Sequence, residues 1–351
     1  MDIINKTQFT AGFFNTVVGH DHLLGAVVLK AVHTIQDGRL EVDPDRAWPV
    51  QGDPIKTDFG EFDGESPFTR EPVDFILLGK AYGPRGPVPG PVTVKIQLGA
   101  TFSYSLVVFG DRYWLKQGRD LVPSEPASFE SMPIVWERAY GGKCKVETGE
   151  MPFHSNPKGR GFYLTAEQAE GRQLPNFENP TCLIRSWKDQ PEPAGTAPYP
   201  RDWSMRALNS VDLDLKSPVP RIRKVKPTYF NNGNPRLIRP EPLRPGETIG
   251  VAGVRPRGAE LKFVLPAQSF HVHVQLQDRR YVFPAHLDTV IVLADEERVV
   301  LGYRSCFRYR MVPLERRAVV LYPGDVPSSP PPEYAIQWEE FDSRKAGAGR
   351  G

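Results

Sequence analysis

Proline most limits what this chain can fold into, because 36 of its 351 residues are proline and a further 31 are glycine. That proline share is roughly twice the average for globular proteins. Proline has no backbone N–H to donate and holds φ fixed, so it interrupts helices. The sequence therefore predicts short strands joined by many turns, with little helix.

Short apolar and β-branched runs occur in the first 115 residues and again after residue 228. Residues 26–33 form such a run, and Asp37-Gly38, a dipeptide typical of hairpin turns, follows it. Runs bounded by Gly, Pro or polar residues cover 73–80, 92–98, 104–109, 261–265, 271–276, 281–283, 289–293, 299–303 and 318–322. These runs predict a mainly β fold with two antiparallel sheet-rich parts, sandwich-like or barrel-like.

A long region rich in Pro and Gly separates the two groups of strands. Here Thr165 is followed three residues later by Gln168, the pattern of a helix capping box, and Gly171 would end that helix. The prediction is an N-terminal β-rich part (1–115), a loop-rich middle region packed on the sheets (116–228), a C-terminal β-rich part (229–323) and a flexible Pro-rich tail (324–351).

Charge and cysteine content favour a cytoplasmic protein without a nucleic-acid or membrane partner. The 44 basic and 42 acidic residues nearly cancel, which leaves no general attraction to nucleic acid or anionic lipid. Three scattered cysteines are too few for a disulfide framework. The N-terminus lacks the pattern of a signal peptide, and no apolar run reaches the ~18 residues of a membrane helix.

His271 and His273 are weak candidates for metal ligands. Residues two apart in a strand point to the same face, so both imidazoles could reach one ion. His286 and Asp288 lie near in sequence, but no spacing predicts that they converge with the pair, and a solvent-facing side is the commoner reason for such alternation. Nucleophile elbows and phosphate loops are absent from the sequence, so no catalytic residue and no cofactor is predicted.

The stretch 136–142, Trp-Glu-Arg-Ala-Tyr-Gly-Gly, holds the densest group of unusual residue types. One interpretation is a core Trp, a Glu–Arg ion pair and a Gly-Gly turn. The other is an anchor in a binding surface, since Trp, Tyr and Arg often dominate interfaces.

Seven motifs in order cover most of the chain and carry a family resemblance. They are Val28-Leu-Lys-Ala, Asp74-Phe-Ile-Leu-Leu-Gly-Lys-Ala-Tyr-Gly-Pro, Gly110-Asp-Arg-Tyr-Trp, Trp136-Glu-Arg-Ala-Tyr-Gly-Gly, Asn156-Pro-Lys-Gly-Arg-Gly, Leu174-Pro-Asn-Phe-Glu-Asn-Pro and Leu287-Asp-Thr-Val. With them the chain resembles the bacterial family of domain of unknown function 2169, whose members look like adaptors or chaperones of type VI secretion systems. Residues 195–203 and 230–235 differ from the family's usual pattern.

The resemblance implies a non-enzymatic adaptor that binds a secreted toxin effector in the cytosol and helps load it on a VgrG-type spike, with or without a PAAR-type tip. It implies protein-binding or motif roles for Trp136, Glu137, Arg138, Tyr140, Gly141, Gly142, Asn156, Pro157, Gly159, Gly161, Asn176, Glu178, Pro180, Asp288 and Thr289. Two alternatives stay open: a metal-dependent or carbohydrate-active β enzyme that uses the two histidines, and a structural component of a contractile secretion particle.

Overall fold

A computed structural model describes residues 3–18, 21–84, 90–214, 221–276, 279–310 and 317–327. The predicted mainly β fold with little helix is confirmed, because strands dominate and the two α-helices span four and seven residues. Most of the predicted tail, from residue 328 onward, lies outside the described residues. The boundaries at residues 115 and 228 stay a prediction.

The strands follow the apolar runs of the sequence. In chain order they are β1 (Ile3–Asn5), β2 (Thr10–Val17), β3 (His22–Gln36), β4 (Arg39–Val42), β5 (Ile55–Thr57), β6 (Gly60–Phe62), β7 (Asp74–Leu78), β8 (Lys80–Tyr82), β9 (Val92–Leu98), β10 (Phe102–Val108), β11 (Trp114–Gln117), β12 (Asp120–Pro123), β13 (Ser131–Pro133), β14 (Tyr140–Gly141), β15 (Lys143–Val146), β16 (Gly149–Pro152), β17 (Arg160–Gly161), β18 (Phe177–Glu178), β19 (Val211–Asp214), β20 (Arg221–Val225), β21 (Thr248–Ala252), β22 (Leu261–Val264), β23 (Phe270–Leu276), β24 (Arg279–Leu293), β25 (Arg298–Arg310) and β26 (Arg317–Pro323).

The helical segments are short and lie mostly between strands of the second half. The α-helices are α1 (Ala166–Ala169) and α2 (Ser204–Ser210), and 3-10 turns cover Trp136–Arg138, Pro227–Phe230, Pro235–Leu237, Pro256–Gly258 and Ala294–Glu296. Thr165 caps α1 as predicted, since its side chain accepts a hydrogen bond from the Gln168 backbone N–H at 3.3 Å. No helix among the described residues is long and apolar enough to cross a membrane.

One large mixed sheet organises the molecule. Its strand order is β1-β26-β23-β24-β25-β3-β4-β22-β21-β9-β10-β18, while β2 also pairs with β3 and β7 also pairs with β24. Strands from the first and last thirds of the sequence alternate in this order, so the two predicted sheet-rich parts are hydrogen-bonded to each other. The longest contact joins β3 to β25 in antiparallel register over thirteen residue pairs.

The predicted hairpin between β3 and β4 is confirmed. Asp37 and Gly38 form its turn with φ of 48° and 76°, the left-handed conformation that a two-residue hairpin turn requires. Glycine adopts it freely and aspartate tolerates it. The turn fixes the register of β3, and thereby decides which side chains of β3 face which side of the sheet.

The two faces of β3 belong to different cores. Val27, Leu29 and Ala31 enter the main core, where side chains from both ends of the chain pack together. Val32 enters a smaller core on the opposite face with Phe62, Ile76, Leu78, Ile291 and Val300. Lys30 shares that opposite face, because side chains alternate along a strand. A charged side chain is thus placed in the interior of the fold.

The middle region has a third core of its own. Its buried members are Trp114, Tyr140, Cys144, Phe162, Ala169, Leu174 and Ile184. Around this core the chain forms the small pairs β11–β12, β14–β17 and β15–β16. The region consists of short strand pairs and turns; it meets the large sheet where β10 pairs with β18, and its Trp136, Tyr199 and Trp203 belong to the main core.

Candidate functional site

The predicted histidine pair lies side by side on β23. His271 and His273 are both buried, and their ring centroids are 5.1 Å apart. The Nδ1 atom of His271 lies 2.9 Å from the Gly324 carbonyl oxygen, and the ring of Tyr322 packs against both imidazoles. Within the described ranges, no group of three His, Cys, Asp or Glu side chains is placed to hold a metal ion.

His273 should make the protein less stable in mild acid. Burial first, and then the nearby charges of His271 and Arg280, lower the pKa of His273 to about 4. Between pH 6.5, the ordinary pKa of histidine, and about pH 4, His273 is protonated in the unfolded chain but not in the folded one. The free energy of unfolding therefore decreases as the pH falls through that window. We expect His273→Gln to remove on the order of 1–2 kcal/mol of this loss.

Urea unfolding of wild type and His273→Gln at several pH values between 4 and 7 measures the effect. The exposed His154 supplies a matched control, since His154→Gln should leave the pH dependence of wild type unchanged. If the free energy of unfolding changed with pH in the same way for wild type and His273→Gln, the assignment of this acid sensitivity to His273 would be contradicted.

The middle-region motifs meet around one buried asparagine. Asn156 donates from Nδ2 to the carbonyl oxygens of Trp136 (2.8 Å) and Tyr140 (3.0 Å). Tyr140-Gly141 forms β14, which pairs in parallel with Arg160-Gly161 in β17. Two motifs, 136–142 and 156–161, are therefore held together by one side chain and one short strand pair.

Glycine is needed at the closest approach in this cluster. Gly141 has φ of 142°, and a Cβ there would lie 2.1 Å from the carbonyl oxygen of Asn156. At Gly159 a Cβ would lie 2.5 Å from Nδ2 of Asn156 and 2.6 Å from the Ala139 carbonyl oxygen. Contacts this short have no room for a side chain, which explains why Gly-Gly and Gly-x-Gly stand in these motifs.

Asn176 and Glu178 attach the cluster to the edge of the large sheet. The Asn176 amide donates to the Phe109 carbonyl oxygen at 3.1 Å, and Glu178 forms a buried ion pair with Arg112. Glu178 also accepts a hydrogen bond from the Ile184 backbone N–H at 2.7 Å. Both residues therefore hold the middle region in place against the sheet.

Trp136 is a core residue in this structure. It is 3% exposed, donates from Nε1 to the Pro198 carbonyl oxygen at 2.7 Å and packs edge-to-face against Tyr199 and Trp203. The ring leaves no room for a side chain at Gly195. Among the fifteen residues to which the resemblance gives protein-binding or motif roles, those that are exposed or partly exposed are Glu137, Arg138, Pro157, Gly159 and Pro180. Their role in binding stays a prediction.

Asp288 and Thr289 belong to a buried ion cluster on the face of the large sheet opposite the main core. The cluster consists of Lys30, Glu65, Arg70, Asp288, Thr289 and Arg304. Glu65 lies at its centre: Oε1 is 3.1 Å from the Lys30 ammonium, Oε2 is 2.9 Å from Arg70, and Oε2 also accepts from Arg304. Three cations thus share one carboxylate.

Arg304, on β25, links the cluster to Asp288 on β24 and to the loop that carries Ser66. Its Nε donates to Asp288 at 2.7 Å and its Nη1 donates to the Ser66 carbonyl oxygen at 2.5 Å. Asp288 in turn accepts from the Thr289 hydroxyl at 2.7 Å. Because Asp288 is an extra residue at a register shift of β24 against β25, the bulge turns its carboxylate towards the arginine.

Charge pairing in the interior fixes the protonation of the central groups. Burial by itself would raise the pKa of Glu65, but the charges of Arg70, Lys30 and Arg304 outweigh it and hold that pKa well below its ordinary value. Burial would lower the pKa of Arg304, yet Asp288 and Glu65 raise it above the usual range. Both shifts favour the ionised forms of Glu65 and Arg304 at neutral pH.

Sequence reasoning named Asp288 and Thr289 only as protein-binding or family-motif residues, a role that stays a prediction, and did not predict the cluster with Lys30, Glu65, Arg70 and Arg304. One signal was available, because Lys30 interrupts an otherwise apolar strand and a charge at such a position is buried only when it is paired. Glu65 and Arg70 lie outside any strand, and nothing in their local sequence distinguishes them from surface charges.

An open cavity of about 480 Å³ lies beside the ion cluster. Arg70, Asp288 and Arg304 form its charged wall, and His286 and Cys306 also line it. Its remaining lining is mostly apolar: Thr69, Pro72, Pro242, Leu243, Phe283, Pro284 and Leu287. The volume is within the range of small-molecule sites, roughly 300–1,000 Å³.

A second surface depression lies on the middle region. It measures about 530 Å³ and is lined by Tyr113, Glu137, Lys158, Gly159, Arg160, Tyr163, Gly171, Arg172 and Gln173. The large apolar side chains of Leu115 and Leu164 are exposed nearby in sequence, at 50% and 38%. Three basic side chains and one acid thus line the depression together with the aromatic rings of Tyr113 and Tyr163.

Fold and sites together define a mostly β protein with one large mixed sheet, a buried ion cluster on the face opposite the main core, and a middle region of short strand pairs. Residues 20–304 match the bacterial family described as "Uncharacterized protein conserved in bacteria (DUF2169)", and the chain belongs to this family. The family resemblance carried by the seven motifs is therefore confirmed. No curated protein and no solved structure matches the chain.

Proposed function

We propose that this chain is a non-enzymatic adaptor of a type VI secretion system. It binds a toxin effector in the cytosol and helps load it on a VgrG-type spike that can carry a PAAR-type tip. Membership of the family and the resemblance of its members to such adaptors are the starting point. An adaptor of this kind needs two docking surfaces on a stable scaffold and no reactive group.

The exposed surface of the middle region is the observation that most favours a client-binding role. We call it the middle-region surface and define it by Tyr113, Leu115, Leu164, Lys158, Arg160 and Arg172. Tyr113 and Leu115 are 43% and 50% exposed, two residues apart at the β11 hairpin, so both point to the same side. Apolar side chains that lie exposed side by side can form an interaction site.

The charge of the same surface indicates the chemistry of the client segment. Lys158, Arg160 and Arg172 line the depression with Glu137 as the acid among them, which leaves a surplus of two positive charges. Complementary potentials guide association and reject wrong partners. The occupant proposed here is an acidic segment of the toxin that also carries apolar side chains.

A glutamate at Leu115 should break the toxin contact. It removes an exposed apolar group and adds a charge that repels an acidic client, so we expect Leu115→Glu to lower toxin-dependent killing of susceptible neighbouring cells by at least about tenfold, the loss typical of an interface hot spot. Spike release into the medium should stay at the wild-type level.

Val264→Glu is the matched control, because Val264 is 40% exposed on β22 of the large sheet. Equal killing by the Leu115→Glu and Val264→Glu strains would contradict the assignment of this surface. A fall in spike release when the whole chain is deleted would favour a structural component of the particle. Stoichiometric metal that is lost in His271→Ala would favour the enzyme.

A further inference from the structure

We propose that the cavity beside the buried ion cluster binds a carboxylate group carried on an apolar stem. This inference is independent of the adaptor proposal, since none of the residues of the middle-region surface lines this cavity. Three features of the site support it: the charge of its wall, a guanidinium donor that the fold leaves unused, and its apolar lining.

The wall of the cavity carries a surplus of positive charge. Lys30, Arg70 and Arg304 meet the two carboxylates of Glu65 and Asp288, and all of these contacts are buried. The neighbouring carboxyl of Asp74 is held by the backbone N–H groups of Asn232 and Gly233, and burial raises its pKa. An anion in the cavity would meet two guanidinium groups, Arg70 and Arg304, beside the single lining carboxylate of Asp288, and opposite charges close to each other favour the charged forms of both.

Arg70 has a donor that no described protein atom accepts. The residue is 6% exposed; its Nη2 contacts Glu65 and its Nη1 donates to Thr289 at 3.3 Å. Its Nε is buried without a hydrogen-bond partner among the described residues. Since Arg70 lines the cavity, a carboxylate oxygen there would give this guanidinium the partner that buried charged donors normally have.

The remaining walls select an apolar stem. Leu243, Leu287 and Phe283 line the cavity together with Pro72 and Pro284. Apart from the charged residues, the only polar side chains in this lining are those of Thr69, His286 and Cys306. A ligand with a second charge at its far end would lose hydration without finding a partner, so a monocarboxylate with an aliphatic or aromatic body fits the site best.

Strand geometry explains why an opening exists at this place. β24 pairs with β23 from Arg279 to Ala285 and with β25 from His286 to Leu293. The Asp288 bulge lies at this change of partner, so β24 and β25 are no longer paired beyond His286 and Arg304. The cavity lies at this point of divergence, where residues of both strands line it.

Two sources supply this chemistry: a free organic acid, or the C-terminal carboxylate of a polypeptide that ends in an apolar residue. Hexanoate represents the first, and an N-acetylated tripeptide that ends in leucine represents the second. Hexanamide and the same peptide as its C-terminal amide are neutral matches of equal size.

The thiols of the chain report on occupancy. Cys306 lines the cavity, and burial raises the pKa of its thiol to about 11, whereas Cys182 is exposed elsewhere. In the wild-type chain at one alkaline pH, we expect hexanoate or the peptide acid at millimolar concentration to slow alkylation of Cys306 by at least about tenfold, with Cys182 unaffected. The amides should give no protection. The acid that protects Cys306 more strongly shows whether the natural ligand is a free organic acid or a C-terminal carboxylate.

Arg70→Gln should abolish protection by the acids, while Arg70→Lys retains most of it. If Arg70→Gln does not fold, the comparison of acid with amide on wild type still decides. Equal protection by acid and amide, or no protection by either acid at concentrations up to about tenfold above the millimolar range, would overturn the proposal.

Discussion

Replacing Glu65 with glutamine is expected to lower the free energy of unfolding by about 3–5 kcal/mol, the loss seen when one partner of a buried ion pair is removed. Glu65 contacts Lys30, Arg70 and Arg304, and the amide would leave these three buried cations with one carboxylate in place of two. Thermal unfolding followed by circular dichroism measures the effect, which corresponds to a fall in Tm on the order of 10 °C.

Glu61→Gln is the control for Glu65→Gln, because Glu61 is exposed on the neighbouring strand β6 and should tolerate the change. The difference between wild type and Glu65→Gln should be constant above the ordinary pKa of a glutamate. It should shrink in acid, as the pH falls towards the depressed pKa of Glu65 in the folded protein. A Tm for Glu65→Gln within about 2 °C of wild type would contradict the account of the ion cluster.

Alanine at Gly141 should be the second most damaging change. Its Cβ would lie 2.1 Å from the backbone oxygen of Asn156, and Gly141 also has φ of 142°. The segment around Asn156 would have to move, which would break the hydrogen bonds that join the motifs of the middle region. We expect Gly141→Ala to lower the free energy of unfolding by at least about 2 kcal/mol more than backbone strain alone.

Gly149 isolates the strain from the clash, because it has φ of 136° and no atom lies within 4 Å of the place that a Cβ would occupy. Gly149→Ala should therefore cost about 1–2 kcal/mol, the strain of a side chain at positive φ. Urea unfolding of the two variants gives the difference directly. Equal losses would mean that the contact with Asn156 is not the reason for glycine at 141.

Local signals predicted local structure well. The Asp37-Gly38 turn requires positive φ and has it, and Thr165 caps α1 as its spacing from Gln168 predicted. Strand partners could not be predicted in this way. β3 pairs with β25 across more than 260 residues, and no rule of sequence spacing predicts such a contact. The sequence predicted two groups of strands, and long-range pairing joined them in one sheet.

The candidate sites show the same division. The family resemblance named the motif glycines 141 and 159, and close approaches to backbone oxygens explain why glycine stands there. Trp136 fits the first of its two interpretations, that of a core residue. The ion cluster could not be predicted from the sequence, because its charges come from a strand near the N-terminus, a loop and two late strands. Only the fold brings them together.

Affinity purification of the tagged wild-type chain from its native cells tests the adaptor proposal most directly. Mass spectrometry would quantify the proteins that accompany it relative to the same purification from untagged cells. The account predicts enrichment of a VgrG-type spike together with one toxin-like protein. Recovery of a folded and abundant chain with neither of them would contradict it.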